Sequence, residues 1–304
     1  MKPRLVFFGT GPVSLSCLEG IHADFEIEAI ITKPDRTSPN GRQHPHPVRE
    51  WGEANKIPVY QIASGAQLSE LIQRSDFSSR VGLVVDFGVI IPEDMITSFE
   101  LGIVNSHFSL LPKLRGADPI TFAILEGLEE TGVSLMQVVP ALDEGDLLAQ
   151  AKLVVEEGMT TPQLTARLSE LSNGLLRREL PRYIEGKITP RPQPDAATYT
   201  RRLSKADGII DWHKPAVRLE REVRAFIGWP GSRTTLLGRE VTVTQARVPT
   251  DSAPRLGKPG DHTVTDGEIC VQTGDGILAI RRLKPAGKRE MDAGAFARGQ
   301  RPAL

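Results

Sequence analysis

Asn105-Ser-His-Phe-Ser-Leu-Leu-Pro112 is the stretch on which the reading of this chain turns. It follows an apolar run, Leu101-Gly-Ile-Val104, with the character of a buried strand, and it ends in a proline that stops a strand. Side chains two apart on a strand share a face, so Asn105 and His107 point into one space. In open α/β sheets the C-terminal strand ends carry the ligand. Further along, Val133-Ser-Leu-Met-Gln-Val-Val139 reads as another strand and leads into Pro140-Ala-Leu-Asp143-Glu-Gly-Asp146, which brings a carboxylate to a second strand end. Asn105, His107 and Asp143 meeting at one rim make a candidate acyl-transfer site. Taken singly, each has an ordinary explanation: a turn former, a polar residue after a strand, an acidic turn.

The surrounding pattern supports an open α/β sheet. Apolar runs alternate with amphipathic stretches through the first 150 residues, as in βαβ units. Strands are expected at Arg4 to Phe8, Ile27 to Thr32, Gly82 to Asp86, Gly102 to Asn105, Val133 to Val139 and Leu147 to Val155. Asp118 as N-cap, Pro119 at the first helical position and Gly127 as a stop define a helix between them. Another starts at Thr161-Pro162, with Leu164, Leu168, Leu171 and Leu175 along one face, and runs to about Arg182. Gly186 to Ala197 holds Pro190, Pro192 and Pro194 and reads as a semi-extended linker. A helix from Pro215 to Phe226 follows, with Val217, Leu219, Val223 and Phe226 toward a core and Arg218, Arg221 and Arg224 in solvent. From Ser232 onward come short strands (Arg233 to Leu237, Glu240 to Arg247, Glu268 to Gln272 and Gly276 to Leu283), broken by Gly238-Arg239 and Gly274-Asp275-Gly276. The expected class is α/β, a Rossmann-like open sheet followed by a small OB-like β-barrel. The expected boundaries are 1–187 for the first domain, 188–205 for a linker and 206–304 for the second.

Composition excludes more than it assigns. Of 304 residues, 39% are hydrophobic and 25% charged, as in ordinary globular proteins. No apolar run reaches the roughly 18 residues that cross a bilayer, and Met-Lys-Pro-Arg passes straight into a strand. A cytoplasmic protein with no membrane partner is the expectation. Cys17 and Cys270 give neither a disulfide framework nor a metal spacing, and His44-Pro-His46 lacks further ligands, so no metal is expected. The net charge of -1 hides an asymmetry: residues 191–304 hold 20 Lys/Arg against 13 Asp/Glu, and the rest holds 17 against 25. A basic C-terminal third suggests a polyanion.

Asn105-x-His-x-Ser-Leu-Leu-Pro112, with LRGADPI (Leu114 to Ile120) and LDEGD (Leu142 to Asp146) after it, resembles the folate-dependent formyltransferases. The likeness extends to FFGTGPVS (Phe7 to Ser14), TKPDR (Thr32 to Arg36), HPVREWGEANKIPVYQ (His46 to Gln61) and FGVIIP (Phe87 to Pro92). It continues in TYTRRLSKADGIIDW (Thr198 to Trp212), RAFIGWPGS (Arg224 to Ser232) and LKPAGKREM (Leu283 to Met291). Within the family these segments are most similar to the branch whose acceptor is the methionine amino group on charged initiator tRNA, in translation initiation. The resemblance implies 10-formyltetrahydrofolate as formyl donor, with no metal. It implies Asn105, His107 and Asp143 as catalytic residues. It implies Ser109, Leu110, Leu111 and Pro112, with Phe87, Gly88, Val89 and Ile90, as the folate pocket, the latter acting largely through main chain. Met136 to Leu142 join that slot. Arg36, Arg42 and Lys205 are the implied tRNA contacts, and a monomer is expected.

Formyl transfer asks for an amine nucleophile, a donor to the oxygen that gains charge and a path for a proton. Asn105 donates without changing protonation state; His107 donates or shuttles a proton; Asp143 supports the imidazole and accepts the amine proton. Gly9-Thr10-Gly11 lacks the third glycine of a dinucleotide fingerprint, with Ser14 in its place, and the resemblance puts this loop near the acceptor. Phe108 and Asp86 depart from the family pattern: by alternation Phe108 points away from His107, while a carboxylate at Asp86 alters the folate slot. The competing readings are a formyltransferase acting on a sugar-nucleotide amine or on glycinamide ribonucleotide, and a non-catalytic RNA-binding protein.

Overall fold

The computed structural model describes residues 2–38, 43–249 and 256–300. Two compact units result, and they do not follow chain order: one comprises Met1–Pro119, Glu130–Val154 and Thr165–Thr200, the other Ile120–Glu129, Val155–Leu164 and Arg201–Leu304.

The first unit is built on a seven-stranded sheet. Its strands are β1 (Arg4–Gly9), β2 (Glu26–Thr32), β3 (Val59–Gln61), β4 (Gly82–Val85), β5 (Ile103–His107), β6 (Glu130–Gln137) and β7 (Leu147–Val154), in the order β7-β6-β5-β4-β1-β2-β3. The strands from β5 to β3 are parallel, whereas β6 runs antiparallel to both its neighbours, β5 and β7. The centre is continuous apolar sequence: Leu5 to Phe8 are fully buried, as is Leu83. That is the signature of strands covered on both faces. At the edge, β7 alternates buried and exposed, one face wet. The chain steps right from β1 to β2 and returns left to β4, so the switch point lies between β1 and β4, where ligands sit in such sheets. The expected strands are present to within a few residues; the three-residue edge strand β3 is too short for periodicity to reveal.

Helix α1 (Pro12–Ile21) starts at a proline and buries Ser14, Cys17, Leu18 and Ile21, a single stripe. Helices α2 (Pro47–Ala54), α3 (Gly65–Arg74) and α4 (Glu93–Thr97) complete the first half of the sheet's cover, α3 capped by the Ser64 hydroxyl accepting from the Gln67 amide at 3.4 Å. Helix α5 (Pro119–Leu125) lies between its expected punctuation marks, and α6 (Thr161–Ile184) runs through Pro181 to a length of 24 residues.

The segment expected as a linker is extended, as its prolines require, but it is fastened to the first unit. Arg191 exchanges both backbone hydrogen bonds with Leu147, at 2.7 and 3.0 Å, and Tyr199–Thr200 pairs with Arg115–Gly116 in parallel. Proline removes donors from such a strand without removing acceptors, so the remaining groups still find partners.

The second unit carries an antiparallel sheet of β8 (Ser232–Leu236), β9 (Arg239–Arg247), β10 (His262–Thr265), β11 (Glu268–Gln272) and β12 (Ile277–Pro285), ordered β8-β9-β12-β11-β10. Met291–Asp292 adds to β12, and α8 (Ala293–Arg298) follows. Leu237 and Gly238 both take left-handed backbone, at φ 49° and 73°, which suits the twist of a two-residue hairpin. Among the described residues the ladder is open, from β8 to β10. Helix α7 (Ala216–Ala225) covers the sheet through Leu219 and Val223. Contrary to expectation Val217 is exposed, and Glu222, for which the sequence reading made no assignment, is buried. Glu222 accepts from Lys214 at 2.7 Å and Arg218 at 3.2 Å, and Arg218 also donates to the Leu125 carbonyl at 2.6 Å. That pairing is what makes a buried carboxylate tolerable on the inner face. No helix of the described residues is long and apolar enough to cross a membrane.

Candidate active site

Strand β5 ends the apolar core with three polar residues, and pairing decides where each points. Ser106 faces α6, its hydroxyl 2.8 Å from that of Ser172, and Phe108 is likewise buried, as alternation requires. Asn105 and His107 take the other face. In register, Val84 of β4 lies beside Asn105, and Met136 of β6 on its other side. The Asn105 amide is half-buried and makes no hydrogen bond among the described residues.

His107 is only 6% exposed. Its Nε2 lies 2.9 Å from the Leu114 carbonyl oxygen, and because a carbonyl only accepts, Nε2 carries the proton. That leaves Nδ1 for chemistry. It faces Asp143 Oδ2 at 3.7 Å, too long for a direct hydrogen bond. The Asp143 carboxylate is in turn aimed by the Gly116 amide, which donates to Oδ2 at 2.7 Å.

The loops holding these groups are conformationally costly. Asp86, Leu114, Asp118 and Asp143 have φ of 46°, 59°, 59° and 51°, and each such non-glycine residue costs on the order of 1–3 kcal/mol. Gly145 must be glycine, because a Cβ there would lie 1.7 Å from the Gln137 carbonyl oxygen. Arg115 repays part of that cost. Its largely buried guanidinium donates to Glu144 at 2.9 Å, to the side-chain Oε1 of Gln193 at 2.9 and 3.1 Å and to the Tyr199 hydroxyl at 3.1 Å. Gln193 passes the restraint on by donating to the carbonyls of Asp143 and Gly145, both at 2.8 Å.

Ser109, Leu111 and Pro112 are buried, leaving Leu110 as the half-exposed member of the turn. The Ser109 hydroxyl donates to the Lys113 carbonyl at 2.6 Å, and Leu111 packs with Met136 and Leu147. Their side chains build the turn, so an incoming molecule meets Leu110 and backbone. Ser134 and Gln150 brace it: Ser134 Oγ accepts from the Leu111 amide at 3.0 Å and from Gln150 at 2.8 Å, and Gln150 also donates to the Leu111 carbonyl at 2.9 Å. Sequence reasoning passed over both, along with Arg115 and Gln193. The available signal was a polar residue inside an apolar strand, since Ser134 is fully buried and must have partners.

Phe87 belongs to the core, edge-on to Phe8 with centroids 5.7 Å apart, while its carbonyl accepts from the Thr10 hydroxyl at 3.2 Å. Gly88 is exposed, Val89 half-buried, and Ile90 is 87% exposed. Val139 and Leu142, in the loop after β6, are also exposed apolar residues. At the switch point, Ser14 fills the place of the missing third glycine: its hydroxyl accepts from the Thr10 amide at 2.9 Å and donates to the Val85 carbonyl at 2.6 Å. The Asp86 carboxylate leans over Gly11, where a Cβ would lie 2.9 Å from Oδ2.

Arg36 is exposed on a short hairpin, Arg36–Thr37 with Gln43–His44, and Lys205 is exposed in a 3-10 turn of the second unit. Neither belongs to the rim constellation, and Arg42 lies outside the described residues. His46 is buried and His44 exposed, so the two do not converge; burial, then the neighbouring Arg36, lowers the His46 pKa.

Residues 5–180 match the family model described as formyl transferase, and residues 202–301 match formyl transferase, C-terminal domain. The chain is 37% identical over 308 residues to a methionyl-tRNA formyltransferase of Roseiflexus castenholzii, covering 99% of this chain and 97% of that one. A methionyl-tRNA formyltransferase of Listeria monocytogenes is 33% identical over 301 residues, covering 97% and 95%. Among solved structures, an N-formyltransferase from Helicobacter canadensis in complex with folinic acid and dTDP-3-aminofucose aligns with a TM-score of 0.69 at 16% identity, covering 96% of this chain and all of that one. HypX from Aquifex aeolicus in complex with tetrahydrofolic acid aligns with a TM-score of 0.67 at 16% identity, covering 99% of this chain and 48% of that one, so this chain spans about half of HypX. At those identities the two structures speak for the fold alone.

Proposed function

Since this chain belongs to the formyl transferase family, we propose that it moves the formyl group of 10-formyltetrahydrofolate to the methionine amino group of charged initiator tRNA. The observation that carries the reading is the Asn105 amide: half-buried, without a hydrogen bond among the described residues, and on the same strand face as a histidine aimed at a carboxylate. A donor left open beside a proton relay suits a reaction in which an oxygen gains charge as a nitrogen loses a proton.

The rim fits a folate. Ile90, Val139 and Leu142 are exposed apolar side chains on the loops after β4 and β6, and apolar surface left open at strand ends suits a flat aromatic ring. Leu110, the carbonyls and amides of Phe87 to Ile90, and the braced turn from Ser109 to Pro112 would hold it. Folate supplies an acyl group on nitrogen, already activated for transfer. Asn105 then donates to the formyl oxygen as charge develops there. His107, with Nε2 committed to Leu114, would act through Nδ1, taking the proton lost by the amine on the side that Asp143 faces and returning it to N10 of the folate as the bond between the formyl carbon and N10 breaks. Asp143 stabilises the imidazolium so formed and is kept in place by the Gly116 amide, Arg115 and Gln193 acting through the loop.

The second unit carries the RNA-binding role in this reading, with Lys205 there and Arg36 and Arg42 as the contacts from the N-terminal part of the chain. We take residues 1–187 as the catalytic domain and 206–304 as an OB-like domain whose sheet meets RNA. The enzyme is monomeric and cytoplasmic. The test offers purified protein 10-formyltetrahydrofolate with charged initiator tRNA and, separately, with a sugar-nucleotide amine. Formylated methionyl-tRNA is the expected product; formylation of the sugar amine alone would replace this reading with the sugar-nucleotide one.

A further inference from the structure

In the second unit two large apolar side chains stand in solvent on adjoining backbone. Trp229 is 56% exposed and Ile209 is 60% exposed. Tryptophan is highly buried on average, so its exposure beside a second large apolar residue asks for an explanation. The loop that presents it is fixed. Gly228 and Gly231 take left-handed backbone at φ 89° and 79°, the Gly231 amide donates to the Phe226 carbonyl at 3.0 Å, and Pro230 between them is buried. The 3-10 turn Lys205–Gly208 is pressed against it: a Cβ on Gly208 would lie 2.2 Å from the Gly231 carbonyl oxygen and 3.2 Å from the Pro230 ring. Ile209 is bridged to Arg233, whose guanidinium donates to the Lys205 carbonyl. No ring contact or hydrogen bond engages the Trp229 indole among the described residues.

Arg202 and Lys205 are exposed on one side of this patch and Arg233 is half-exposed on the other, while the acids beside it are engaged, Asp207 by Arg201 and Ser204 and Asp211 by the His213 amide and ring. A rigid aromatic face flanked by cations matches an unpaired nucleotide, whose base stacks while its phosphate meets the cations. We infer that Trp229, flanked by Ile209, is a stacking platform for one unpaired base of the RNA acceptor, with Arg202, Lys205 and Arg233 meeting the adjoining phosphates. This rests on the proposed function, because it takes the acceptor to be RNA. It adds a contact that does not depend on charge.

Salt separates the two kinds of contact. Affinity of the full chain for uncharged initiator tRNA is measured across a salt series for the wild type, Trp229→Ala, Trp229→Phe and Lys205→Ala. Stacking is worth a factor on the order of ten. Trp229→Ala is therefore expected to bind about tenfold more weakly at every salt concentration, with the slope of log affinity against log salt unchanged. Trp229→Phe recovers most of the loss. Lys205→Ala lowers the slope by about 0.7–0.9, one phosphate. Melting temperatures equal to wild type show that the variants are folded, as replacement of an exposed side chain leads one to expect. Wild-type affinity in folded Trp229→Ala overturns the platform and reassigns the apolar patch to another partner; a loss that vanishes as salt rises overturns it too. Formylation of charged tRNA by the wild type is followed in parallel. A wild type that binds tRNA without formylating it removes the proposed function, and the affinity ratio still judges the platform.

Discussion

The rim of the first unit and the charged face of the second treat their polar groups in opposite ways. At the rim a few side chains are aimed by others: Gly116 holds Asp143, Leu114 holds His107, and Arg115 with Gln193 holds the loop they stand on. Among the described residues of the rim, the Asn105 amide and His107 Nδ1 are left without a hydrogen bond. In the second unit many cations are spent on carboxylates, as with Arg247 and Arg281 on Glu268, Arg282 on Glu290 and Asp292, and Arg224 on Glu220. The surplus of 20 basic over 13 acidic residues in 191–304 already allows for such pairs, so pairing decides where the uncompensated positive charge lies. Chemistry depends on which groups remain unsatisfied, and binding on which charges remain uncompensated.

The contrast is sharpest at Asp143. Asp143→Asn keeps an acceptor for the Gly116 amide and so preserves the loop, but it removes the charge that His107 Nδ1 faces. Turnover is expected to fall about 100-fold or more, and the acid limb of the pH–rate profile should move. An unchanged rate and profile would reduce Asp143 to a turn residue like those of the second unit.

Arg115 tests whether the rim is held together by its buried cation. Arg115→Met keeps the apolar stem and removes every hydrogen bond to Glu144, Gln193 and Tyr199. Hydrogen bonds involving a charged group are worth about 1.5–3 kcal/mol net, so stability should drop by about 2 kcal/mol in a denaturant titration, with faster hydrogen exchange at Gly116. Equal stability would show that the left-handed residues of the rim hold without it.

The smallest effect belongs to the second unit. The side-chain hydrogen bond from Arg201, followed by the Ser204 amide, holds the Asp207 carboxyl well below the usual carboxylate range. A carboxyl whose folded pKa is depressed lends stability above its unfolded pKa of about 3.9 and loses it as pH falls below that. Asp207→Asn should therefore lower stability at pH 7, read from a denaturant titration, by less than about 1 kcal/mol because Arg201 is mostly exposed. The gap should narrow toward pH 4 and below. A gap independent of pH would mean that shape alone, not charge, matters there.

Sequence reading reached the parts of the molecule set by local pattern. The buried parallel strands, the helix punctuated by Asp118, Pro119 and Gly127, and the shared face of Asn105 and His107 all follow from neighbours a few residues apart. It did not reach what depends on residues distant in sequence. Ser134, Gln150 and Gln193 matter only because the sheet brings them to the turn and loop they brace. Phe87 and Ile90 are both apolar letters in one short run, yet one is core and the other stands in solvent, because the left-handed backbone at Asp86 and Gly88 turns the chain out of the strand. In helix α7 Leu219, Val223 and Phe226 are buried as their spacing predicts, but Val217 is exposed and Glu222 is buried, because pairing with Lys214 and Arg218 makes a carboxylate tolerable inside.

The central claim, that an open amide at the end of β5 serves formyl transfer to charged initiator tRNA, is tested by single-turnover kinetics of Asn105→Ala against wild type. Both donor and charged tRNA are held at saturation and the melting temperature is checked. Loss of one such donor should slow the chemical step about 10²–10³-fold while binding of folate and tRNA changes little. A folded Asn105→Ala protein that formylates methionyl-tRNA at the wild-type rate would contradict the account.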